Sequence, residues 1–297
     1  ACADEFMRNI EPVAGRLAYH GLPGNHEYAD EFAQYTVRFR NSVGSGSSGT
    51  VETGNGPASG NNWWYSWDAG LVHYAAISSE VYFGAGNSSM LQLQFDWLKA
   101  DLKKANANRA AVPWIVVAAH RSMYCSCDGD CDGPAADMRN GINGGKAALE
   151  PLFFDEGVDM FINGHEHDYE RMWPTYKGVA VQSNKEPTAT IYVVTGSAGS
   201  QEGHEPFIKP KPSWSDFRAD TFGYSKLIAH NQSHLRWQQI QTDPTDKTKA
   251  YGALIDDVWI VQHKHGPFDS KTHYERASKF YANGTMDTGL LMTVCPV

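Results

Sequence analysis

The sequence predicts an α/β protein in which a buried sheet packs against helices. Three short runs, 112–119, 158–162 and 190–195, are apolar on both faces, as in strands that are buried on both sides. Each run ends in a loop that contains His, Gly or Asn. Proteins of this class bind ligands at the carboxyl ends of their strands, so we expect a site where these three loops meet.

The first residues show helical spacing of apolar side chains from Phe6 to Leu17, and Pro12 should end or kink that helix near Glu11. Residues 19–22 are expected to form a short strand that runs into the turn Pro23-Gly24-Asn25-His26-Glu27. The other predicted elements are a surface loop 41–62, a hairpin of strands 63–67 and 71–77, a helix from Ser89 to about Asn106, a helix 147–154, and strands 235–239 and 255–261.

Composition excludes several classes of protein. The 297 residues carry a net charge of −9, whereas a nucleic-acid-binding protein needs a basic surface. The longest apolar run, 110–119, is too short to span a bilayer. A chain of this length can form one α/β domain or two smaller domains.

The five cysteines are unevenly placed, because Cys125, Cys127 and Cys131 fall within seven residues. A zinc site would normally need a second Cys/His pair at a set spacing. We therefore expect a surface loop closed by a disulfide from Cys131 to either Cys125 or Cys127. An odd cysteine suggests a bond to another chain, and Cys2 is the candidate.

Three sequons, at Asn87, Asn231 and Asn283, are candidate glycosylation sites. Together with the cysteines and the Ser/Gly-rich loops, they favour a secreted, extracellular protein. The sequence begins at Ala1 without a Met or a signal segment, so we expect a processed product or a piece of a longer chain.

Three clusters carry metal-binding chemistry: Gly24-Asn25-His26-Glu27, His120 and Gly164-His165-Glu166-His167. Each could be an ordinary polar turn when taken alone. Each, however, follows a predicted strand and offers an amide oxygen or an imidazole, which are ligands suited to zinc, iron or manganese. The three together predict a metal centre.

These clusters, with His120-Arg121 and the run His165-Glu166-His167-Asp168-Tyr169-Glu170-Arg171, resemble the purple acid phosphatases among the binuclear metallophosphoesterases. The resemblance runs from about Asp4 to about Phe268. It implies a four-layer metallophosphoesterase-type α/β sandwich that hydrolyses phosphate monoesters. We expect a catalytic domain over residues 1–268 and a carboxyl-terminal tail over 269–297.

The resemblance also assigns roles. Asn25, His120 and His165 match ligands of a divalent ion (Zn, Fe or Mn), and His167 matches a ligand of Fe(III). His26 matches the residue that contacts phosphate and protonates the leaving oxygen. Two metals about 3.5–4 Å apart would activate the water or hydroxide that attacks phosphorus. Tyr169 and Arg171 are expected to brace the loop.

The sequence departs from the family in the motifs expected before Gly24, where Asp4 is the only Asp and no Gly-Asp pair occurs. The bridging carboxylate, the other ferric ligands and their Tyr are therefore expected to be missing, together with amino-terminal strands. Three explanations are open. The amino-terminal piece could remain bound as a second chain, with Cys2 as the candidate link; the sequence could be partial; or the chain could be a non-catalytic relative. Residues 121–140 also lack the substrate-contacting histidines of plant-type members, for which His204 is a weak substitute.

Two further motifs invite other interpretations. Asp128-Gly129-Asp130-Cys131-Asp132-Gly133 resembles the start of a calcium loop, but Arg139 stands where a Glu ligand is needed. Gly196-Ser197-Ala198-Gly199-Ser200 lacks the Lys of a phosphate-binding loop, so it more plausibly lets backbone pass close to the site. The rival functions are a non-catalytic extracellular binding or structural protein and a single-metal enzyme of another fold, such as a cupin.

Overall fold

The computed structural model describes residues 2–39, 62–83, 88–128, 131 and 133–281. Its helices are α1 (Cys2–Ala14), α2 (Ala33–Arg38), α3 (Ser88–Ala107), α4 (Gly133–Asn140), α5 (Leu149–Asp155) and α6 (Ser270–Tyr281), with 3₁₀ turns at Asn25–Phe32 and Ser79–Tyr82. Its strands are β1 (Tyr65–Ala69), β2 (Val72–Ala76), β3 (Trp114–Ala118), β4 (Met160–Asn163), β5 (Tyr169–Met172), β6 (Thr175–Tyr176), β7 (Val179–Ala180), β8 (Ile191–Thr195), β9 (Ser215–Ala219), β10 (Gly223–Ala229), β11 (His234–Gln241) and β12 (Leu254–Val261).

The largest sheet has seven strands in the order β1-β2-β3-β4-β8-β5-β9. Its central strands, β2, β3, β4 and β8, run parallel to one another. On one side β1 pairs antiparallel with β2; on the other, β5 pairs antiparallel with β8, and β9 pairs antiparallel with β5. The three apolar runs of the sequence form β3, β4 and β8, as predicted. Since β3, β4 and β8 are neighbours, the loops at their carboxyl ends lie side by side.

A smaller antiparallel sheet, β10-β11-β12, covers one face of the large sheet. The buried layer between them combines Trp114 and Val193 of the large sheet with Leu235, Trp237 and Ile260 of the small one. The alternation seen in the sequence of β11 is therefore real, because every second side chain faces this layer. Burying each such side chain stabilises the fold by roughly 1.5–3 kcal/mol.

Helices cover the opposite face of the large sheet. Leu98 and Leu102 of α3 and Phe153 of α5 pack there against Val117 and Phe161 of the sheet. The helix predicted from the capping box is α3, and its buried leucines are those that gave the helical spacing. The predicted α/β sandwich is confirmed, with a helical layer, a mixed sheet and a second sheet in order.

Two local predictions need correction. Residues 19–22 form no strand; instead the carbonyl of Gly21 accepts hydrogen bonds from the hydroxyls of Tyr35 and Tyr65. Helix α1 continues past Pro12 to Ala14, because that proline lies near its end and only its last turn is affected.

Elements with weak periodicity were not predicted: α4 lies in the stretch interpreted as a loop, and β5, β9 and β10 carry no clear apolar pattern. The predicted loop 41–62 lies outside the described residues except for its last position, Asn62.

None of the helices in the described ranges has the length and apolar composition needed to cross a bilayer. The division at residue 268 stays a prediction; α6 lies beyond it, with His273 hydrogen-bonded to Thr188 and to the carbonyl of Val179.

Candidate metal centre

The candidate ligands are placed by three loops at one edge of the large sheet. His120 follows the end of β3 by two residues, and His165 follows the end of β4 by two. These strands are adjacent and parallel, so both imidazoles reach the same point. Asn25 begins the 3₁₀ turn Asn25–Phe32, which approaches from the amino-terminal segment.

Three ligand atoms converge at this point. The Nε2 atom of His120 lies 2.7 Å from Oδ1 of Asn25 and 3.1 Å from Nδ1 of His165. Ligand atoms that share one zinc-sized ion at bond lengths of about 2.0–2.1 Å are separated by about 3 Å, so the spacing fits one divalent ion. The donor set of two imidazoles and an amide oxygen also suits such an ion.

The protonation of His120 is compatible with this role. Burial first, and then the positive charges of His165, Arg121, His26 and His167, lower the pKa of His120 to about 3. The imidazole is therefore neutral at physiological pH, and only a neutral imidazole has a lone pair to offer a metal.

Glycines allow the loops to approach closely. A Cβ atom on Gly24 would stand 2.8 Å from Cε1 and Nδ1 of the His120 ring, so only glycine leaves room for the ring. A Cβ on Gly196 would collide with the backbone carbonyl of Glu166. The Gly196–Ser200 segment thus lets backbone pass next to the His-x-His loop, in the way that the sequence suggested.

The backbone at His165 is itself unusual, with a φ of 70°. This left-handed conformation is uncommon outside glycine, although His is among the residues found in it more often than average. A residue held there costs about 1–3 kcal/mol, and such residues cluster at functional sites. Here the conformation lets His165 face His120 while its neighbour Glu166 points into the interior.

His167 faces a different set of groups. Its Nδ1 lies 3.2 Å from a carboxylate oxygen of Glu205, and its backbone N–H donates to the other oxygen at 2.6 Å. Glu202 is further away, 3.8 Å from Nε2. His204 donates from Nδ1 to the carbonyl of His167 and packs on Phe222. Of the ligands that the resemblance implies for the ferric ion, the described residues bring only His167 to the site.

Acidic and thiol groups lie beneath the His-x-His loop. The Cys127 thiol donates to Glu166 at 2.9 Å, and burial, followed by the charge of Asp168, raises the pKa of this thiol. Burial, together with the carboxylates of Glu170, Glu166 and Glu205, raises the pKa of Asp168 to about 8. Asp168 is only 1% exposed, and neither of its oxygens has a well-formed hydrogen bond among the described residues.

The disulfide predicted for this loop joins Cys131 to Cys125, which resolves the two pairings left open by the sequence. Cys127 stays a buried free thiol. The ligand atoms of these three cysteines and of Glu166 all lie within 4.8 Å of one another. The calcium interpretation gains no support: positions 129, 130 and 132 lie outside the described residues, and Arg139 donates to the carbonyl of Met123.

The structure describes some of the remaining predicted site residues and leaves others outside the described ranges. His26 is exposed, and its charge contributes to the lowered pKa of His120, so it lies at the rim of the cluster. Tyr169 and Arg171 both donate to Asp256, tying β5 to β12. The sequon residue Asn231 is exposed in the β10–β11 turn, while Asn87, Asn283 and the Cys2 side chain are not among those described.

Sequence reasoning gave no role to two groups that border the site. Arg121 lies with one terminal nitrogen 3.1 Å from Nε2 of His165, and its Nε donates to the buried carboxylate of Glu80 at 3.0 Å. Glu205 approaches His167 from a loop 38 residues further along the chain. The only sequence signals were the Arg that follows His120 and the acidic residues on either side of His204.

Comparison with known proteins identifies the family. The model of the calcineurin-like phosphoesterases matches residues 2–169, and that of an iron/zinc purple acid phosphatase-like domain matches residues 189–250. Human acid phosphatase type 7 is 39% identical over 89% of this chain and 57% of its own length. Purple acid phosphatase 18 of Arabidopsis thaliana is 28% identical over 86% of this chain and 52% of its own.

A third relative, named probable inactive purple acid phosphatase 9 of Arabidopsis thaliana, is 33% identical over 77% of this chain and 37% of its own length. The purple acid phosphatase PPD1 from yellow lupin (Lupinus luteus) seeds superposes with a TM-score of 0.66 at 23% identity, over 97% of this chain and 46% of that chain. The chain thus spans 57%, 52% and 37% of the lengths of these three curated relatives. The observed fold leaves no place for the cupin alternative.

Proposed function

Because the chain belongs to the calcineurin-like phosphoesterases, within the purple acid phosphatase group, we propose that it hydrolyses phosphate monoesters at a binuclear metal centre. The observation that carries this proposal is that Nε2 of His120 lies 2.7 Å from Oδ1 of Asn25 and 3.1 Å from Nδ1 of His165, about one ligand spacing from each. We take the pair of ions to be Fe(III) with Zn, Fe or Mn, as the family's iron/zinc description suggests.

Each residue has a distinct task in this proposal. Asn25, His120 and His165 hold the divalent ion, and His167 is one ligand of the ferric ion. When bound, the two ions supply a water of lowered pKa as the nucleophile and neutralise charge on the phosphate. His26, exposed at the rim, donates a proton to the leaving alcohol oxygen.

The second ion needs more ligands than His167. We propose that residues outside the printed sequence, from the same precursor or from a bound piece of it, complete the site. Glu205 lies close enough to His167 to orient its ring, in the way that carboxylates commonly support ligating histidines.

The test is metal content and phosphate release in wild type and in His165→Ala, with His230→Ala as the matched control. His230 is an exposed histidine whose ring lies tilted against Trp259, with the ring centroids 4.6 Å apart. We expect His165→Ala to lose the divalent ion and turnover of p-nitrophenyl phosphate, and His230→Ala to keep both. Full, stoichiometric divalent metal in His165→Ala would remove this residue from the ligand set.

The alternative function is a non-catalytic extracellular binding or structural protein on the same scaffold. The observation that favours it is that His167 is the only implied ferric ligand among the described residues. Metal binding without phosphate release from any monoester would support this alternative and contradict the hydrolase.

We also propose that the protein is secreted. The Cys125–Cys131 disulfide is stable in oxidising compartments, and the exposed Asn231 sequon is accessible to glycosylation. Mass spectrometry of reduced and non-reduced protein would show whether Cys2 links it to an upstream piece. Peptides with Gly-Asp motifs released on reduction would support the two-piece enzyme.

A further inference from the structure

Arg121 lies at the rim of the candidate metal centre and is held there by several contacts. Its Nε donates to both carboxylate oxygens of Glu80, at 3.0 and 3.3 Å, and its guanidinium stacks over the Phe83 ring at 4.7 Å from the centroid. Its backbone N–H donates to Oγ of Ser79 at 3.0 Å. The side chain is therefore fixed in one direction instead of sampling many rotamers.

The carboxylate that holds Arg121 is itself deeply placed. Glu80 has a side chain that is only 5% exposed, and it lies on the 3₁₀ turn Ser79–Tyr82 that follows β2. It also accepts a hydrogen bond from Ser79. A buried carboxylate is stabilised by a paired cation, and breaking such a pair is costly, so the Glu80–Arg121 pair differs from a chance contact on the surface.

This arrangement places the end of the Arg121 guanidinium next to the candidate metal ligands. The terminal nitrogen of Arg121 is 3.1 Å from Nε2 of His165, whose Nδ1 faces His120. The guanidinium therefore brings a positive charge and N–H donors to the edge of the candidate ligand set, where a phosphate ester bound at the metal centre would present its oxygens.

We propose that Arg121 is a substrate-contacting residue that binds a phosphoryl oxygen of the phosphate ester, with Glu80 as its positioning residue. This inference rests on the proposed function. Arg121 would take the place of the substrate-contacting histidines that the family resemblance implies and that residues 121–140 do not contain. Guanidinium groups bind phosphate through paired, charge-assisted hydrogen bonds.

The histidine that the sequence offered for this task, His204, reaches the site only through the backbone of His167. Its Nδ1 bonds the carbonyl of His167 and its ring lies against Phe222, while its Nε2 is buried with no hydrogen-bond partner among the described residues. Arg121 is in direct contact with His165, one of the three converging residues. The geometry therefore favours Arg121 over His204 as the phosphate contact.

The experiment measures the binding of inorganic phosphate to the metal-loaded protein by titration calorimetry, with metal content determined on the same samples. Arg121→Met removes the charge at similar volume, and Arg121→Lys keeps the charge without the planar fork. Arg236→Met is the matched control, because Arg236 also pairs with a carboxylate, Asp257, and lies over an aromatic ring, Trp259, on another sheet.

We expect Arg121→Met to weaken phosphate binding by about 10- to 100-fold, the usual loss of a hydrogen bond to a charged group, with unchanged metal content. Arg121→Lys should fall between wild type and Arg121→Met, and Arg236→Met should match wild type. For p-nitrophenyl phosphate, Arg121→Lys should change KM more than kcat. Glu80→Gln should weaken phosphate binding less than Arg121→Met does.

Two results would overturn the inference alone: an Arg121→Met protein that binds phosphate as wild type does, or one that loses phosphate binding only because it has lost metal. Arg121→Met leaves the Glu80 carboxylate buried without its cation, which destabilises the fold. The double variant Arg121→Met/Glu80→Gln removes that unpaired charge, so its phosphate binding can be compared with that of wild type in a folded protein. Wild-type protein that binds neither metal nor phosphate would overturn the proposed function and this inference together.

Discussion

Replacing Gly24 by alanine tests the metal centre without substituting any proposed ligand. The new Cβ would stand 2.8 Å from Nδ1 and Cε1 and 2.9 Å from Cγ of His120, so the whole ring must move. Ordinary contact begins near 3.4 Å, which requires a displacement of at least about 0.6 Å. Metal–ligand distances tolerate deviations of only about 0.2 Å, so His120 could no longer bind the ion well.

We expect Gly24→Ala to weaken divalent metal binding by about 10- to 100-fold, which corresponds to roughly 1.4–2.7 kcal/mol. The cost in folding free energy should be about 1–3 kcal/mol, as for other overpacked positions. Zinc affinity would be measured by competition with a chromophoric chelator, and stability by urea unfolding of the metal-free protein. Gly133→Ala is the control, since a Cβ there meets nothing within 4 Å.

Unchanged zinc affinity in Gly24→Ala, together with normal stability, would refute the reasoning, because His120 would then have no part in the ion's coordination. Reduced affinity in both glycine variants would point to a general loss of structure. Only a selective effect at Gly24 supports the assigned position of the ion between Asn25, His120 and His165.

Three further outcomes are expected. His26→Ala should keep its metal and lose at least about 100-fold in kcat, as is usual for a general acid; an unchanged rate in steady-state kinetics would end that role. Because burial raises the pKa of Asp168 to about 8, the folded chain holds a proton that the unfolded chain releases near pH 4. Metal-free stability should therefore fall as pH rises from about 4 to 8, and Asp168→Asn should flatten this dependence in urea unfolding; an identical slope would contradict the assignment. Glycopeptide mapping should find glycans at Asn231, and at Asn87 and Asn283 if those are also accessible; three unmodified sequons would weaken the case for secretion.

The parts of the fold that could be predicted from sequence are those with a strong local pattern. Strand β3 is apolar at every position because both of its faces are buried, and α3 repeats leucines at helical spacing. By contrast, β5 reads Tyr-Glu-Arg-Met and carries charges in a fully buried strand. Its Arg171 is satisfied by Asp216 and Asp256, which are 45 and 85 residues away. No local pattern can reveal partners so distant.

The same reasoning applies to the candidate site. His120 and His165 could be chosen because each follows a buried apolar strand, and Asn25 because the three clusters together resembled a known family. Arg121 and Glu80 could not, since their pairing depends on a contact across 41 residues between two different loops. Similarly, Cys125 and Cys127 were equivalent partners for Cys131 until the folded loop placed Cys127 against Glu166.

Features that reduce stability are concentrated around the His-x-His loop. His165 has a left-handed backbone, Asp168 is buried without a well-formed hydrogen bond, and His120 must stay neutral among positive neighbours. Natural sequences rarely retain such conflicts unless the residues serve a function, because each lowers the free energy of unfolding. A bound cation would relieve the conflict at His120 directly, since it uses the lone pair of the neutral imidazole. It would also neutralise nearby carboxylates. The cluster therefore fits a ligand site better than a structural core, independently of any family resemblance.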